Sequence, residues 1–216
     1  NKFKISNFNK FLITFIGLLF LYTFYLLIPL LYDKNWVKKS IENKLLTEFK
    51  INLSPSSDIS YRILPAPHFV IKDSKILSNN SKNQESIADV KNLKIFLSKK
   101  NFFNKEDMDI KSVSINRANF TLLKHDFEVL NSSSNIKFSN KKIEINKSNI
   151  FFRNNLNDII TIVKIDNAIL FFDDEKLLNL FNLAGNVFTI PFTYKLNNQI
   201  DLIKKKKLIL KLNLLI

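Results

Sequence analysis

Two histidines, His68 and His125, stand in a chain without cysteine. Neither has a second histidine four residues away, the spacing that sets two imidazoles on one helix face for zinc. His68 sits between Pro67 and Phe69, where an imidazole serves as a polar cap on a turn. His125 precedes Asp126, a base beside a carboxylate, yet neighbours on an extended chain point to opposite sides. Acidic residues cluster at Glu106, Asp107 and Asp109 and again at Asp173, Asp174 and Glu175. Both clusters lack the ligand spacing of a calcium loop. A loop explains the first, and a helix start, where carboxylates cap free amides, explains the second. Lys204 to Lys207 are four like charges in a row, which read as a solvated hairpin tip that discourages edge pairing. Two glycines cannot build a phosphate-cradling loop or a nucleophile elbow. The expectation is a protein that is not an enzyme and needs no cofactor or metal.

The elements that hold these residues begin with an uncharged stretch at 11–31, FLITFIGLLFLYTFYLLIPLL. At about 1.5 Å of helical rise per residue it covers roughly 31 Å, the thickness of a bilayer's hydrocarbon core. A cleaved signal peptide would need a shorter apolar region and a small-residue cleavage site. The first alanine is Ala66, so an uncleaved anchor is expected. Lysines flank the stretch on both sides, Lys2, Lys4 and Lys10 before it and Lys34, Lys38 and Lys39 after, so charge alone leaves its orientation open. Tyr32 and Trp36 fall at the headgroup level that amphipathic rings prefer and are the expected membrane-interface residues.

Beyond the anchor, the remainder of the 216-residue chain is the size of one domain. The net charge of +14 comes from lysine, with only Arg62, Arg117 and Arg153 as guanidinium groups. Specific nucleic-acid reading favours the planar fork of arginine, whereas a lysine excess suits solubility and loose attraction to anionic lipid, so no nucleic-acid partner is expected. The scarcity of glycine predicts hairpins closed by longer polar loops.

Between Trp36 and Phe49, apolar residues recur at Val37, Ile41, Leu45 and Phe49, one stripe on a short helix. Such a helix either lies along the membrane or plugs one end of the domain. From Ile51 onward the period becomes two, the mark of half-buried strands. The alternation moves from odd to even positions at Ala118, which implies a bulge or bend. Residues 126–130 fit one helical turn and 136–138 a short strand. Residues 175–183 satisfy the helical and the strand period alike, with Gly185 placed as a helix stop. About a dozen short strands and little helix make a mainly β, largely antiparallel sheet. Its apolar face is covered either by folding over as a sandwich or by curling into a groove filled with lipid chains. The 21 phenylalanines suit both. The run at 212–216 reads as a strand cut short, as in a fragment of a longer protein.

In their order, these features resemble the amino-terminal region of AsmA-like proteins: a single span, a short helix, a kink at Leu64-Pro65-Ala66-Pro67, then Phe69, Ile71, Asp73 and Ile76. Ala88-Asp89-Val90 through Leu93, Ile95, Leu97 and Ser98 to Phe102-Phe103, then Ile110, Val113, Ile115, Ala118, Phe120 and Leu122, keep the cadence of that family. The resemblance covers about 11–123. It departs at Ala118, where proline is common, and in the absence of a Gly-and-Trp turn after Leu123.

The resemblance implies a bacterial inner-membrane protein with a cytoplasmic tail at 1–10, a single-pass anchor at 11–32, an amphipathic helix at 33–49 and a periplasmic β domain at 50–216. It is similar to chorein-type bridge proteins, which carry phospholipid tails along a β-groove. On that likeness the groove lining would be Ile59, Tyr61, Ile63, Phe69, Ile71, Leu93, Ile95, Leu97, Val113, Ile115, Phe120, Leu122, Ile143, Ile145, Phe188, Ile190 and Phe192. The implied partners are phospholipid acyl chains, the inner membrane and proteins of outer-membrane assembly. The implied work is phospholipid transfer or outer-membrane assembly. The competing expectation is a membrane-tethered β-sandwich that scaffolds a complex and carries no lipid.

Overall fold

The computed structural model describes residues 7–54, 59–78, 85–100, 102–123, 137–154, 156–199 and 208–214, the last seven as backbone. Helix α1 spans Asn7–Leu27 and tightens into a 3₁₀ turn at Ile28–Leu31. The apolar stretch Asn7–Leu31 is long and apolar enough to cross a membrane, and almost none of it is buried in the protein. Helix α2, Lys34–Phe49, starts where the Asp33 carboxylate accepts the Trp36 amide at 2.8 Å, an N-cap. It stops at Lys50, which adopts a left-handed conformation with φ 59°, and the Ile51 amide closes the end on the Leu45 carbonyl at 3.0 Å. Val37, Ile41, Leu45 and Phe49 are all buried. The stripe therefore faces the protein core, and α2 plugs the domain.

Ten strands come next: β1 (Asn52–Leu53), β2 (Ile59–Arg62), β3 (His68–Leu77), β4 (Ser86–Leu97), β5 (Ile110–Leu123), β6 (Lys142–Arg153), β7 (Ile159–Asp173), β8 (Leu178–Val187), β9 (Ile190–Gln199) and β10 (Leu208–Leu214). They form one sheet in the order β1-β3-β4-β5-β6-β7-β8-β9-β10, with β2 also pairing β3. Strands β5 and β6 run parallel, and the other pairs are antiparallel. The sheet does not close on itself among the described residues, so α2, not a second layer of strands, covers its apolar face. Strands are fewer than the dozen expected and much longer, up to 15 residues in β7. Residues 175–183 are no helix: a turn at 174–177 leads straight into β8. The strand expected at 136–138 does not form: 137 and 138 are described and lie outside any strand, and the next strand begins at Lys142. The helical turn expected at 126–130, His125, Ile136 and Lys204 to Lys207 lie outside the described residues.

Register explains how one face stays apolar over so many strands. Tyr61, Phe69, Ile95, Val113, Ile143, Leu170, Phe181 and Leu196 are successive partners from β2 to β9. Ile59, Ile71, Leu93, Ile115, Ile145, Ala168, Leu183 and Tyr194 form a second such row beside it. Past these rows a crease crosses the sheet, with Asp73, Arg117 and Lys147 at φ 48°, 55° and 48°. Each strand there spends one extra residue and its core-facing positions change parity, from Ile115 to Ala118 and from Ile145 to the buried Ser148. The apolar face survives because neighbouring strands shift together. The shift expected at Ala118 is this crease. The Ser148 hydroxyl bridges it, accepting the Ala118 amide and donating to the Asn146 carbonyl, both at 2.9 Å.

In β7 the irregularity falls between Ile165 and Asn167, opposite Gly185 of β8. A Cβ on Gly185 would lie 2.1 Å from the Lys164 carbonyl oxygen, so this glycine is required by close backbone approach inside a strand and is no helix stop. Strands β8 and β9 meet in a two-residue turn of Phe188 and Thr189, at φ 48° and 70°. That tight turn corrects two expectations. Hairpins here do close without glycine, and Phe188 occupies the turn, 74 % exposed, instead of lining a strand face. Left-handed φ angles cost a side-chain-bearing residue roughly 1–2 kcal/mol, more for a β-branched one.

Unfolding in denaturant tests both backbone features. Gly185→Ala forces backbone apart and should destabilise the β domain by about 1–3 kcal/mol, while Gly17→Ala, with nothing within 4 Å of the added carbon, should leave it unchanged. Replacing Phe188-Thr189 by Asn-Gly should raise stability by about 1–2 kcal/mol, since that pair adopts the same turn at little cost.

Candidate functional site

The apolar face divides into a covered and an open part. Beneath α2, Phe69, Ile71, Leu93, Ile95, Leu97, Val113, Ile115 and Ile143 are buried in one cluster with Val37, Ile41, Leu45 and Phe49. Leu93, Ile95 and Val113 are 0 % exposed. These eight expected lining residues share the predicted face, but their neighbour is a helix. Ile59, Tyr61, Phe120 and Ile145 are partly buried at the edge of the same cluster. Ile63 lies just past the end of β2 and Leu122 near the end of β5, both half-buried. Phe192 faces the open part from β9, and Ile190 sits beside the Phe188 turn, 50 % exposed.

The open part lies on β7, β8 and β9. Phe181, Leu183, Phe192, Tyr194 and Leu196 are half-buried there, outside the covered cluster, with no helix or second sheet over them among the described residues, and Leu170 packs at that cluster's edge. Phe181 and Tyr194 meet edge to face at 5.9 Å. Leu170, Phe181, Leu183, Tyr194 and Leu196 were not among the expected site residues. Period two marks all five, but the helical alternative at 175–183 obscured Phe181 and Leu183.

At the junction of the two parts is a cavity of about 470 Å³ walled by Phe49, Phe138, Ile143 and Leu170 and edged by Glu48, Lys50, Lys137 and Lys141. Apolar walls with a few charged groups at the edge suit an amphiphile. Lys141 fixes its geometry: the ammonium donates to Glu48 of α2 at 2.7 Å and to Asp109, just before β5, at 2.5 Å. One lysine thus ties the last turn of α2 to the near ends of β5 and β6. Burial by itself would lower the Lys141 pKa, but the hydrogen bonds and charges of Asp109 and Glu48 outweigh it, and the net shift is upward.

On the far wall, Lys137 lies 4.0 Å over the Phe172 ring and 3.4 Å from the Asp174 carboxylate, which also accepts Asn140 at 2.6 Å. Asp173 accepts the Glu175 and Lys176 amides at 3.0 and 3.1 Å; these amide bonds, that of Lys176 foremost, hold its carboxyl below the usual range. The second acidic cluster caps a hairpin turn and braces the cavity, where a helix start was expected. The first is a 3₁₀ turn at Lys105–Asp107 capped by Asn104.

His68 is 2 % exposed, with Nδ1 2.7 Å from the Ala66 carbonyl and its ring 5.0 Å from Phe96. It packs on the sheet face opposite α2, away from the cavity. Among the described residues no three of His, Asp and Glu gather to hold a metal.

The chain thus has, in order, one anchor-like helix, a covering helix and a long open sheet whose α2-facing side is apolar. The sequence matches the AsmA family over residues 7–191. The chain belongs to the AsmA family. The match begins with α1 and ends just inside β9, so it takes in the residues of the crease, β7 and β8, well past Leu123, where the resemblance in sequence ended. No curated protein matches the chain significantly. As an AsmA-family chain with an N-terminal apolar helix it fits a membrane-anchored protein.

The ion-pair latch gives a pH prediction. A lysine whose folded pKa is raised contributes stability that is present below its unfolded value of about 10.4 and is lost as pH rises through the folded value. Lys141→Met should therefore cost about 0.5–1 kcal/mol in denaturant unfolding at neutral pH, discounted for partial exposure. Its deficit against the unaltered chain should begin to close as pH rises past the unfolded value of about 10.4.

Proposed function

We propose that this AsmA-family protein holds phospholipid acyl chains on the open apolar face of β7, β8 and β9, as a periplasmic module anchored in the bacterial inner membrane by α1. The observation that carries the reading is that the two apolar rows continue past β7, where Ala168 is still sealed, to half-buried residues on β8 and β9 beyond the cover supplied by α2. Apolar surface left open on that scale marks a binding site. The mechanism is non-covalent: each methylene withdrawn from water onto this face contributes about 0.8 kcal/mol. The junction cavity, with Lys50, Lys137 and Lys141 at its edge, receives the anionic end of the lipid. No step of bond chemistry is assigned to any residue, and the protein acts in phospholipid movement or outer-membrane assembly by binding alone.

Nine strands in path at about 4.8 Å spacing extend roughly 43 Å across, shorter than the roughly 58 Å that a dozen would give. A bridge between two membranes on this plan needs further strands or a partner. Ile95→Asp or Ile115→Asp would place a charge beneath α2 and report on folding, so the test belongs on the open part. A photo-crosslinking residue at Leu183 or Phe192, in vesicles of radiolabelled phospholipid, should yield a lipid adduct, while the same residue at Leu93 should yield none. Absence of adduct at both open positions, in protein that unfolds normally, would sink the proposal and favour the scaffold reading.

A further inference from the structure

The turn between β4 and β5 grips α1 within its apolar stretch. The Tyr25 hydroxyl donates to the Lys99 carbonyl at 2.6 Å, and the Tyr25 ring stacks on Phe102 and meets Phe103, each at 5.3 Å. The Lys99 ammonium donates to the Tyr22 hydroxyl at 3.1 Å. The Tyr32 hydroxyl donates to the Phe102 carbonyl, and Lys105 lies 5.6 Å over the Trp36 ring. On the same side, the Tyr61 hydroxyl donates to the Leu26 carbonyl at 2.6 Å; burial pushes its pKa up to about 12, so it stays a donor. The turn is thus fastened to α1 at residues 22–26.

Phe103 is nonetheless 79 % exposed. Nothing among the described residues covers this phenyl ring, which stands among Lys99, Lys100 and Lys105. The neighbouring kink offers a second bare apolar side chain, Leu64 at 77 %, linked to the turn by the Leu97 amide on the Pro67 carbonyl at 2.9 Å.

Membrane thickness fixes where this lies. A helix needs about 20 residues to cross the hydrocarbon core. Counted from Asn7 they end at Leu26, and counted from Phe11, after Lys10, they end at Leu30. On either count Tyr25 lies inside the core, by roughly 2–8 Å at the rise of a helix. Phe103, against Tyr25, is at the same depth. That is the depth reached by interfacial elements, and lysines around an inserted aromatic extend their ammonium groups back to the phosphates.

Given that α1 spans a bilayer, we infer that the β4–β5 turn inserts Phe103 into the leaflet from which α1 emerges, with Lys100 and Lys105 at the anionic headgroups and Lys99 held on the Tyr22 hydroxyl, making a second membrane contact. The two contacts, helix and turn, fix the tilt of the sheet against the bilayer. A single helix followed by a free linker would leave it loose.

The chain has no cysteine, which suits site labelling of the full chain. Single cysteines replacing Phe103, Leu19 in the middle of α1, or Phe188 at the other end of the strands would carry an environment-sensitive fluorophore. The labelled proteins would be reconstituted in vesicles of phosphatidylcholine and phosphatidylglycerol containing acyl-chain quenchers. Expected are loss of most emission at Phe103 with a shallow quencher, at Leu19 with a deep one, and none at Phe188. Emission at Phe103 that stays water-like while Leu19 is quenched overturns the inserted turn and leaves the anchor standing. Unquenched emission at Leu19 overturns the spanning helix on which the inference rests. Quenching at Phe188 equal to that at Phe103 also overturns it, since membrane contact would not then be particular to this turn.

Discussion

A sheet with one apolar face must cover that face, and here the cover is a single helix of 16 residues, about 24 Å long. That is enough for the strands from β3 to β6 and too short for the rest. Every other feature of the domain depends on this mismatch. Under the helix the face is a packed core with residues at 0 % exposure, Ala168 of β7 is still 1 % exposed, and on β8 and β9 the same rows continue half-buried. The Lys141 latch to Glu48 and Asp109 lies where cover ends, and so does the cavity.

The mismatch persists because the face itself is unbroken. A one-residue slip in any strand would turn its apolar set to the water side. The crease through Asp73, Arg117 and Lys147 is such a slip, made tolerable by being shared across adjacent strands. Gly185 lets β8 pass the corresponding irregularity in β7 without one of its own. From there the parity is constant to β9, and the open part is built of unbroken strands.

The same crease explains which parts of this fold were legible in sequence. The span, the α2 stripe and the two-residue period are local patterns, and they appear where expected. Strand length was not legible, because a strand that changes parity reads as two short ones: Val113 with Ile115 and Phe120 with Leu122 are a single β5. The parallel pairing of β5 and β6 leaves no local mark. For the site, period two reports which face a residue occupies and says nothing about what covers that face. Leu93 and Leu183 belong to one row and read alike, yet one is sealed and the other is open. Lys141 was illegible, since its partners are 93 and 32 residues away.

Magnitudes decide between the two halves of the face as places for a lipid chain. Lifting α2 would expose Val37, Ile41, Leu45 and Phe49, each contributing about 1.5–3 kcal/mol by burial, or roughly 6–12 kcal/mol together, before the latch is counted. An acyl chain entering beneath the helix would have to return that much merely to restore what was lost. On β7, β8 and β9 the same chain displaces only water, so each buried methylene is net gain. On the proposed reading the helix would set the boundary of the binding face as well as sealing the core, and would direct an incoming chain across the sheet, away from the strands nearest α1.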